Sequence, residues 1–167
     1  MTTVFLDLSL GPKPLGRVKI ELYTEQLPRT TENFRQFCTG EYKEQGRPIG
    51  YKQSKFHRLV PGFMLQGGDF VRGNGTGTKT IFGLDAFEDE AFVYKNEPFT
   101  VAMANSGPDT NGCQFFINLA PNHFLDGKHV VFGHVVEGQD IIETIERVSV
   151  ENEKPLIDVV ISNCGEM

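Results

Sequence analysis

The sequence predicts an all-β protein, with a sandwich and a barrel as the two architectures that its pattern allows. Eighteen glycines and nine prolines are spread among short apolar runs, which is typical of short strands joined by turns. The segment Arg17–Leu22 alternates polar and apolar residues with a period of two, so one face of this strand should contact solvent. No repeat, low-complexity tract or interdomain linker interrupts residues 1–167, and this indicates a single domain.

Eight segments have the composition of strands, and turn residues separate them. In chain order they are Val4–Ser9, Arg17–Leu22, Ser54–Leu59, Phe63–Gly67, Phe99–Met103, Gln114–Leu119, Val130–Val136 and Leu156–Ser162. Two longer polar segments, Glu41–Tyr51 and Arg72–Phe82, are predicted to be loops because glycines recur in both.

Two amphipathic helices are predicted, and we expect them to cap a barrel rather than to line a site. Thr30 or Thr31 is expected to cap the first helix, which places Glu32 near its positive N-terminal end. Two phenylalanines share a face of this helix, and Gly40 is well placed to end it. The second helix, Gln139–Val148, carries three isoleucines as its buried stripe.

The net charge and the terminal sequence argue against several classes of protein. A formal net charge of −6 does not favour direct nucleic-acid binding, since phosphate contacts need a basic face. The N-terminus has no cationic segment followed by an apolar one, and no apolar run approaches the roughly 18 residues that span a membrane. We therefore expect a protein of the cytoplasm, the nucleus or both, with no membrane attachment.

The cysteines and histidines do not predict a metal site or a disulfide framework. There are three cysteines, an odd number, at Cys38, Cys113 and Cys164. Their spacing matches no zinc pattern, and no pair of histidines stands at ligand spacing. We expect neither a metal nor a cofactor.

Three other chemistries receive no support from the motifs. The glycines of Arg72–Phe82 resemble a phosphate-binding loop, but Lys79 follows Thr78 and no helical pattern comes after it. The acidic run Glu88–Glu90 is expected to be a solvated face rather than a pair of catalytic carboxylates. No serine, cysteine or histidine lies in a nucleophile-elbow or triad signature.

Four segments instead place polar residues among apolar ones. They are Arg58–Gln66, Ala102–Gly107, Gly112–Ile117 and Phe124–His129. A single guanidinium among apolar and amide side chains suits a neutral, partly apolar ligand better than a phosphate. Each segment also has a purely structural explanation, such as a surface ion pair for Arg58, so the residues one by one leave both interpretations open.

Taken together, these segments resemble the cyclophilin family of peptidyl-prolyl isomerases. The resemblance covers essentially the whole chain, and its motifs FHRLVPGFMLQGGDF, FEDEAF, MANSGPDTNGCQFFI and LDGKHVVFG are long and specific to the family. It implies an eight-stranded antiparallel closed β-barrel capped by two α-helices. It also implies an enzyme that rotates X–Pro bonds in proteins, assists protein folding and needs no cofactor.

The resemblance also implies roles for individual residues. Arg58 is expected to be the catalytic residue, and the other positions are expected to bind substrate. An apolar pocket for the proline ring would be formed by Phe63, Met64, Phe116 and Leu125, with His129 at its edge. The peptide groove would be lined by Gln66, Ala104 and Asn105. The adjoining pocket, which would take residues that precede the proline, would be lined by Gly75, Thr110 and Gln114.

One departure from the family concerns the pocket rim, where most cyclophilins have tryptophan and this chain has Phe124. In the family, that indole donates a hydrogen bond to cyclosporin. Phenylalanine keeps the apolar ring and lacks the N–H donor. We therefore expect activity on peptides to be retained and binding of a cyclosporin-type inhibitor to be weakened.

A second departure is the segment Tyr42–Gly50, about five residues longer than in the small cytosolic archetype. With the CGEM terminus, it makes the chain most similar to the snRNP-associated (U4/U6) nuclear subfamily, which implies a U4/U6 snRNP protein as a partner and a role in spliceosome assembly. The alternative function is a non-catalytic adaptor that holds proline-containing peptides in a ribonucleoprotein or chaperone complex. A monomer is the default expectation.

The resemblance also matches Cys38 and Cys164 to a cysteine pair discussed as redox-sensitive in divergent-loop cyclophilins. Two inert, buried thiols are the alternative, because a free cysteine usually behaves as a small apolar side chain.

Overall fold

The computed structural model describes residues 1–167 and consists mainly of one antiparallel sheet. Its strands are β1 Thr2–Leu10, β2 Lys13–Leu22, β5 Lys55–Phe56, β6 Arg58–Val60, β7 Met64–Gly67, β8 Thr100–Met103, β9 Phe115–Asn118, β10 Val131–Glu137 and β13 Val159–Glu166. Two small hairpins are formed by β3 Lys43–Glu44 with β4 Arg47–Pro48, and by β11 Val150–Glu151 with β12 Lys154–Pro155. The helices are α1 Pro28–Thr39, α2 Gln139–Glu146 and a 3-10 turn at His123–Leu125.

The sheet closes into a barrel through one bent segment of chain. The strand order is β5-β13-β1-β2-β10-β8-β9-β7-β6, so β5 and β6 stand at opposite ends of the order. Only His57 separates these two strands along the chain, which means that the segment pairs with β13 on one side and with β7 on the other. Counted as one bent strand, β5 and β6 reduce the nine strands to eight, and the predicted barrel is confirmed.

The barrel interior is apolar, and the helices add to it. One cluster of 27 buried residues includes Leu59, Leu65 and Ile117 from adjacent strands. Burial of side chains of this size contributes roughly 1.5–3 kcal/mol each. Helix α1 contributes Phe34, and α2 contributes Ile142, so both predicted helices cover the barrel with their apolar faces.

The last predicted strand, Leu156–Ser162, was wrong at both ends. The observed strand β13 is Val159–Glu166, and it pairs with β1 along its length. Leu156 and Ile157 are exposed and precede the strand. Their apolar character suggested a strand, but the β11–β12 hairpin directs this stretch to the surface.

The predicted N-terminal cap of the first helix was also wrong. The helix begins at Pro28, so Thr30 and Thr31 lie in its first turn, and Leu27 occupies the cap position without a side-chain hydrogen bond. Proline suits the first helical position because its missing N–H has no partner there. Glu32 lies beyond the first turn and bonds Arg35 instead. Gly40 ends the helix, as predicted, and the structure shows it in a left-handed conformation.

The acidic run that was expected to be a solvated face supplies this missing cap. The carboxylate of Glu90 accepts hydrogen bonds from the backbone N–H groups of Arg29 and Thr30, both at 2.9 Å. Asp89 accepts a hydrogen bond from the amide of Asn111 at 2.8 Å. The run is therefore structural, because a negative charge at a helix N-terminus is stabilising.

Candidate active site

Strand register places three of the predicted site residues, Arg58, Gln66 and Phe116, in a row on the outer face of the barrel. Arg58 lies opposite Gln66 in the β6–β7 pair, and Gln66 lies opposite Phe116 in the β7–β9 pair. Phe116 in turn lies opposite Ala102 in the β8–β9 pair. Because side chains alternate between the faces of a strand, these four residues face outward while their sequence neighbours fill the barrel.

A cavity of about 250 Å³ lies over this row, and we call it the Arg58 pocket. Its lining consists of Arg58, Phe63, Met64, Gln66, Ala104, Asn105, Phe116, Leu125 and His129. A second apolar cluster, of Met64, Ala102, Phe116 and Val131, forms its floor outside the main core. The structure thus brings together nine of the predicted site residues from four separate stretches of the chain.

One nitrogen of the Arg58 guanidinium is hydrogen-bonded within the chain, and the other two are not. Its side chain is 41% exposed, and its Nε donates to Oε1 of Glu153 at 2.9 Å. The backbone N–H of Leu59 donates to the carbonyl of Glu153 at 2.7 Å, which ties the β11–β12 turn to β6. The two terminal guanidinium nitrogens make no hydrogen bond within the chain. Arg58 therefore both forms an ion pair and lines the cavity, so the two interpretations that the sequence left open both hold. Sequence reasoning missed Glu153, which lies 95 positions further along the chain.

The opposite wall of the Arg58 pocket is aromatic. His129 packs edge-on against Phe116 with 5.3 Å between ring centroids. Its Nδ1 lies 2.9 Å from the carbonyl oxygen of Met103, which can only accept, so Nδ1 carries a proton. Phe124 does not line the cavity; it is 64% exposed and stacks on Phe63 at 5.7 Å, which places it at the rim.

A second cavity, also of about 250 Å³, adjoins the first and is called the side pocket here. It shares Ala104 and Asn105 with the Arg58 pocket, and its further lining residues include Gly75, Thr76, Gly77, Thr78, Asp85, Thr110, Gly112 and Gln114. The three predicted residues of the adjoining pocket are therefore found together.

Two glutamines connect the pockets. Nε2 of Gln66 donates to Oε1 of Gln114 at 3.1 Å. Nε2 of Gln114 donates in turn to the carbonyl oxygens of Gly75 and Gly77, at 2.9 and 2.8 Å. Gln114 therefore fixes the loop that forms one wall of the side pocket.

The same loop folds around one buried carboxylate, Asp69, which sequence reasoning missed. Its oxygens accept hydrogen bonds from the backbone N–H groups of Val71, Arg72, Asn74, Gly75 and Gly77 at 2.8–3.2 Å. Burial opposes ionisation, but the backbone donors outweigh it and lower the pKa of Asp69 to about 2. A Cβ atom at Gly77 would overlap this carboxylate, which explains a glycine there.

The three cysteines are free, and burial makes them poor nucleophiles. Burial raises the pKa of Cys113 to about 12 and that of Cys164 to about 11, and it raises the pKa of Cys38 as well. At neutral pH all three are therefore protonated, whereas the thiolate is the reactive form.

No group of three or more His, Cys, Asp or Glu side chains is placed to hold a metal ion. None of the helices has the length and apolar character that a membrane span requires.

Comparison with known proteins agrees with this geometry. Residues 5–166 match the family model described as "Cyclophilin type peptidyl-prolyl cis-trans isomerase/CLD". A curated relative from Rhizopus delemar, named "Peptidyl-prolyl cis-trans isomerase H", is 52% identical over 166 residues, which cover 98% of this chain and 93% of the relative. The chain therefore belongs to the cyclophilin family and is a peptidyl-prolyl cis–trans isomerase that acts on proline-containing peptides.

Proposed function

We propose that isomerisation takes place in the Arg58 pocket, with the proline ring of the substrate on the apolar floor and Arg58 as the catalytic residue. The observation that carries this proposal is the row of Arg58, Gln66 and Phe116 across three paired strands. It places one partly exposed cation and one amide beside a buried apolar surface. The ring and the peptide main chain of a prolyl substrate need these two environments side by side.

The chemistry follows from the electronic structure of the X–Pro bond. Amide resonance creates a rotation barrier of roughly 20 kcal/mol. Twisting the bond localises a lone pair on the proline nitrogen, which then becomes a hydrogen-bond acceptor. The unbonded guanidinium nitrogens of Arg58 can donate to this nitrogen in the twisted state and not in either planar isomer, so they lower the barrier by differential binding.

The test is the isomerisation rate of a short X–Pro peptide for wild type, Arg58→Ala and Arg58→Lys. We expect Arg58→Ala to lose about 100-fold or more in kcat/KM, the scale for removal of a key transition-state donor. Lysine should rescue little, because it lacks the planar fork of donors. Arg17→Ala is a matched control, since Arg17 is also 41% exposed and paired with a carboxylate, that of Asp7. Equal rates for wild type and Arg58→Ala would contradict the proposal.

We further infer that the chain belongs to the snRNP-associated nuclear subfamily and binds a U4/U6 snRNP protein through a surface that includes the β3–β4 hairpin. The relative named isomerase H supports this inference, as does the exposed position of the hairpin. The hairpin is ordered by a hydrogen bond from the Ile49 N–H to the Tyr42 carbonyl and by an ion pair between Glu44 and Lys79. None of its residues lines the Arg58 pocket, so partner binding and catalysis can be separated.

A pull-down of U4/U6 snRNP proteins from nuclear extract tests this inference. The arms are wild type, a variant with residues 43–48 replaced by a short turn, and Arg58→Ala. We expect the hairpin variant to lose the partner and keep isomerase activity, and Arg58→Ala to do the reverse. Recovery of the partner by the hairpin variant at the wild-type level would exclude the hairpin from the interface.

A further inference from the structure

Three buried asparagines lie next to the floor of the Arg58 pocket. Asn96 and Asn118 are 0% exposed, and Asn122 is 4% exposed. A buried amide destabilises a protein unless it is hydrogen-bonded, so amides at such positions need partners in fixed places.

The three side chains bond to one another in sequence, and we call them the amide network. Nδ2 of Asn118 donates to Oδ1 of Asn96 and to Oγ1 of Thr100, both at 2.9 Å. Oδ1 of Asn118 accepts from Nδ2 of Asn122 at 2.8 Å. Such a fully connected group holds one arrangement, because any other arrangement leaves a buried polar atom without a partner.

Strand register explains why the amide network lies there. Asn118 is two residues beyond Phe116 on β9, so it faces the same outer side of the barrel, and it pairs with Met64 on β7. Phe116 and Met64 are floor residues of the Arg58 pocket. The amide network therefore continues the floor beneath the chain that follows β9.

One end of the amide network contacts two walls of the Arg58 pocket. Nδ2 of Asn122 donates to the backbone carbonyl of Phe63 at 2.9 Å, and the carbonyl of Asn122 accepts from the N–H of Leu125 at 3.0 Å. At its other end, the backbone N–H and Nδ2 of Asn96 donate to Oδ1 of Asp126, at 2.8 and 3.0 Å. Phe63 and Leu125 line the cavity, and they come from segments that are not paired as strands.

We propose that the amide network sets the separation of the Phe63 and Leu125 walls, and that Asn122 and Asn118 are positioning residues for the proline ring. This inference rests on the assignment of the Arg58 pocket to that ring. None of the three asparagines of the amide network lines the cavity, so they act through the walls that they contact.

The proposal predicts a particular kinetic signature. The apolar walls contact the proline ring equally in the ground state and in the twisted state. A looser pocket should therefore raise KM and leave kcat unchanged, whereas loss of Arg58 lowers kcat.

The experiment measures KM and kcat for an X–Pro peptide at low temperature, for each variant that circular dichroism shows to be folded. For Asn122→Ala we expect a rise in KM of about threefold to tenfold, the range for one or two lost hydrogen bonds, with kcat within a factor of about two. Asn118→Ala should show a larger rise; if it does not fold, Asn122→Ala decides alone because it lies at the edge of the amide network. Thr31→Val is the control, since it removes a buried hydrogen bond, from Oγ1 to the Leu27 carbonyl, away from the pocket.

An unchanged KM in Asn122→Ala, with a melting temperature lowered as much as in Thr31→Val, would overturn the proposal. A rise in KM shared by Thr31→Val would do the same, because it would trace the effect to general destabilisation. Arg58→Ala in the same assay separates this proposal from the one on which it rests. If Arg58→Ala is fully active, the assignment of the active site to the Arg58 pocket is wrong. If Arg58→Ala is impaired while Asn122→Ala has a wild-type KM, only the proposal about the amide network is wrong.

Discussion

The floor of the Arg58 pocket and the wall of the side pocket are built in different ways. The floor is a patch of paired strands, where register alone fixes the positions of Arg58, Gln66 and Phe116. The wall of the side pocket is a loop without regular structure, held by the carboxylate of Asp69 and the amide of Gln114. The floor of the Arg58 pocket should therefore keep its geometry when single side chains around it are substituted. The shape of the side pocket depends on two side chains, those of Asp69 and Gln114.

The largest effect is expected at Asp69, one of the two side chains that hold the wall of the side pocket. Asp69→Asn keeps the shape of the side chain, but it replaces one acceptor oxygen with a donor that faces backbone N–H groups. We expect the free energy of unfolding to fall by about 2–4 kcal/mol, because buried N–H groups lose a charged acceptor. Urea denaturation measures this change.

Activity assays on Asp69→Asn test the contrast between the pockets directly. Peptides with a bulky residue before proline should lose more activity than peptides with a small one, since only the side pocket changes. Asp7→Asn is the control, because its carboxylate is more exposed and pairs with Arg17. An equal loss of activity on both peptides would show that the substitution affects the Arg58 pocket as much as the side pocket.

Strong acid should remove the contribution of Asp69 to stability. The pKa of Asp69 is lowered from 3.8 to about 2 in the folded protein, so its ionised form stabilises the fold above pH 4. As the pH falls from about 4 through about 2, protonation removes this contribution. We expect the stability of wild type to fall over this window more steeply than that of Asp69→Asn. Parallel curves from urea denaturation at each pH would count against the assigned role of Asp69.

The comparison also shows what the sequence could and could not predict. Period-two alternation is a local signal, so a strand such as Arg17–Leu22 was predictable from residues close together in the chain. The site residues, from Arg58, Gln66 and Phe116 to Gly75 and Gln114, were expected only from the motif resemblance. Asp69 was missed because its role depends on where the next eight residues turn their N–H groups. Glu90 was misjudged because its partners lie 60 and 61 positions away, a separation at which a single sequence carries no signal.

A smaller effect is expected at the rim of the Arg58 pocket. Phe124→Trp adds an N–H donor at an exposed position stacked on Phe63. We expect cyclosporin to bind about tenfold more tightly, the gain from one added hydrogen bond, with peptide kcat/KM unchanged. Phe92→Trp, at a half-exposed phenylalanine outside both pockets, is the control in the same inhibition assay. Inhibition of wild type as tight as that of Phe124→Trp would contradict the expectation that Phe124 weakens the complex.

The smallest effect is expected at Glu153, and it tests whether strand register alone holds Arg58. The side chains of the ion pair are 41% and 52% exposed, and such pairs contribute about 0–1 kcal/mol. If β6 and its pairing with β7 place the guanidinium, Glu153→Gln should change kcat/KM by about twofold or less. Raising the ionic strength should have a similarly small effect on wild type, because screening weakens exposed pairs. A tenfold loss in Glu153→Gln with an unchanged melting temperature would mean that a loop contact orients Arg58. The Arg58 pocket would then depend on individual side-chain contacts, as the side pocket does.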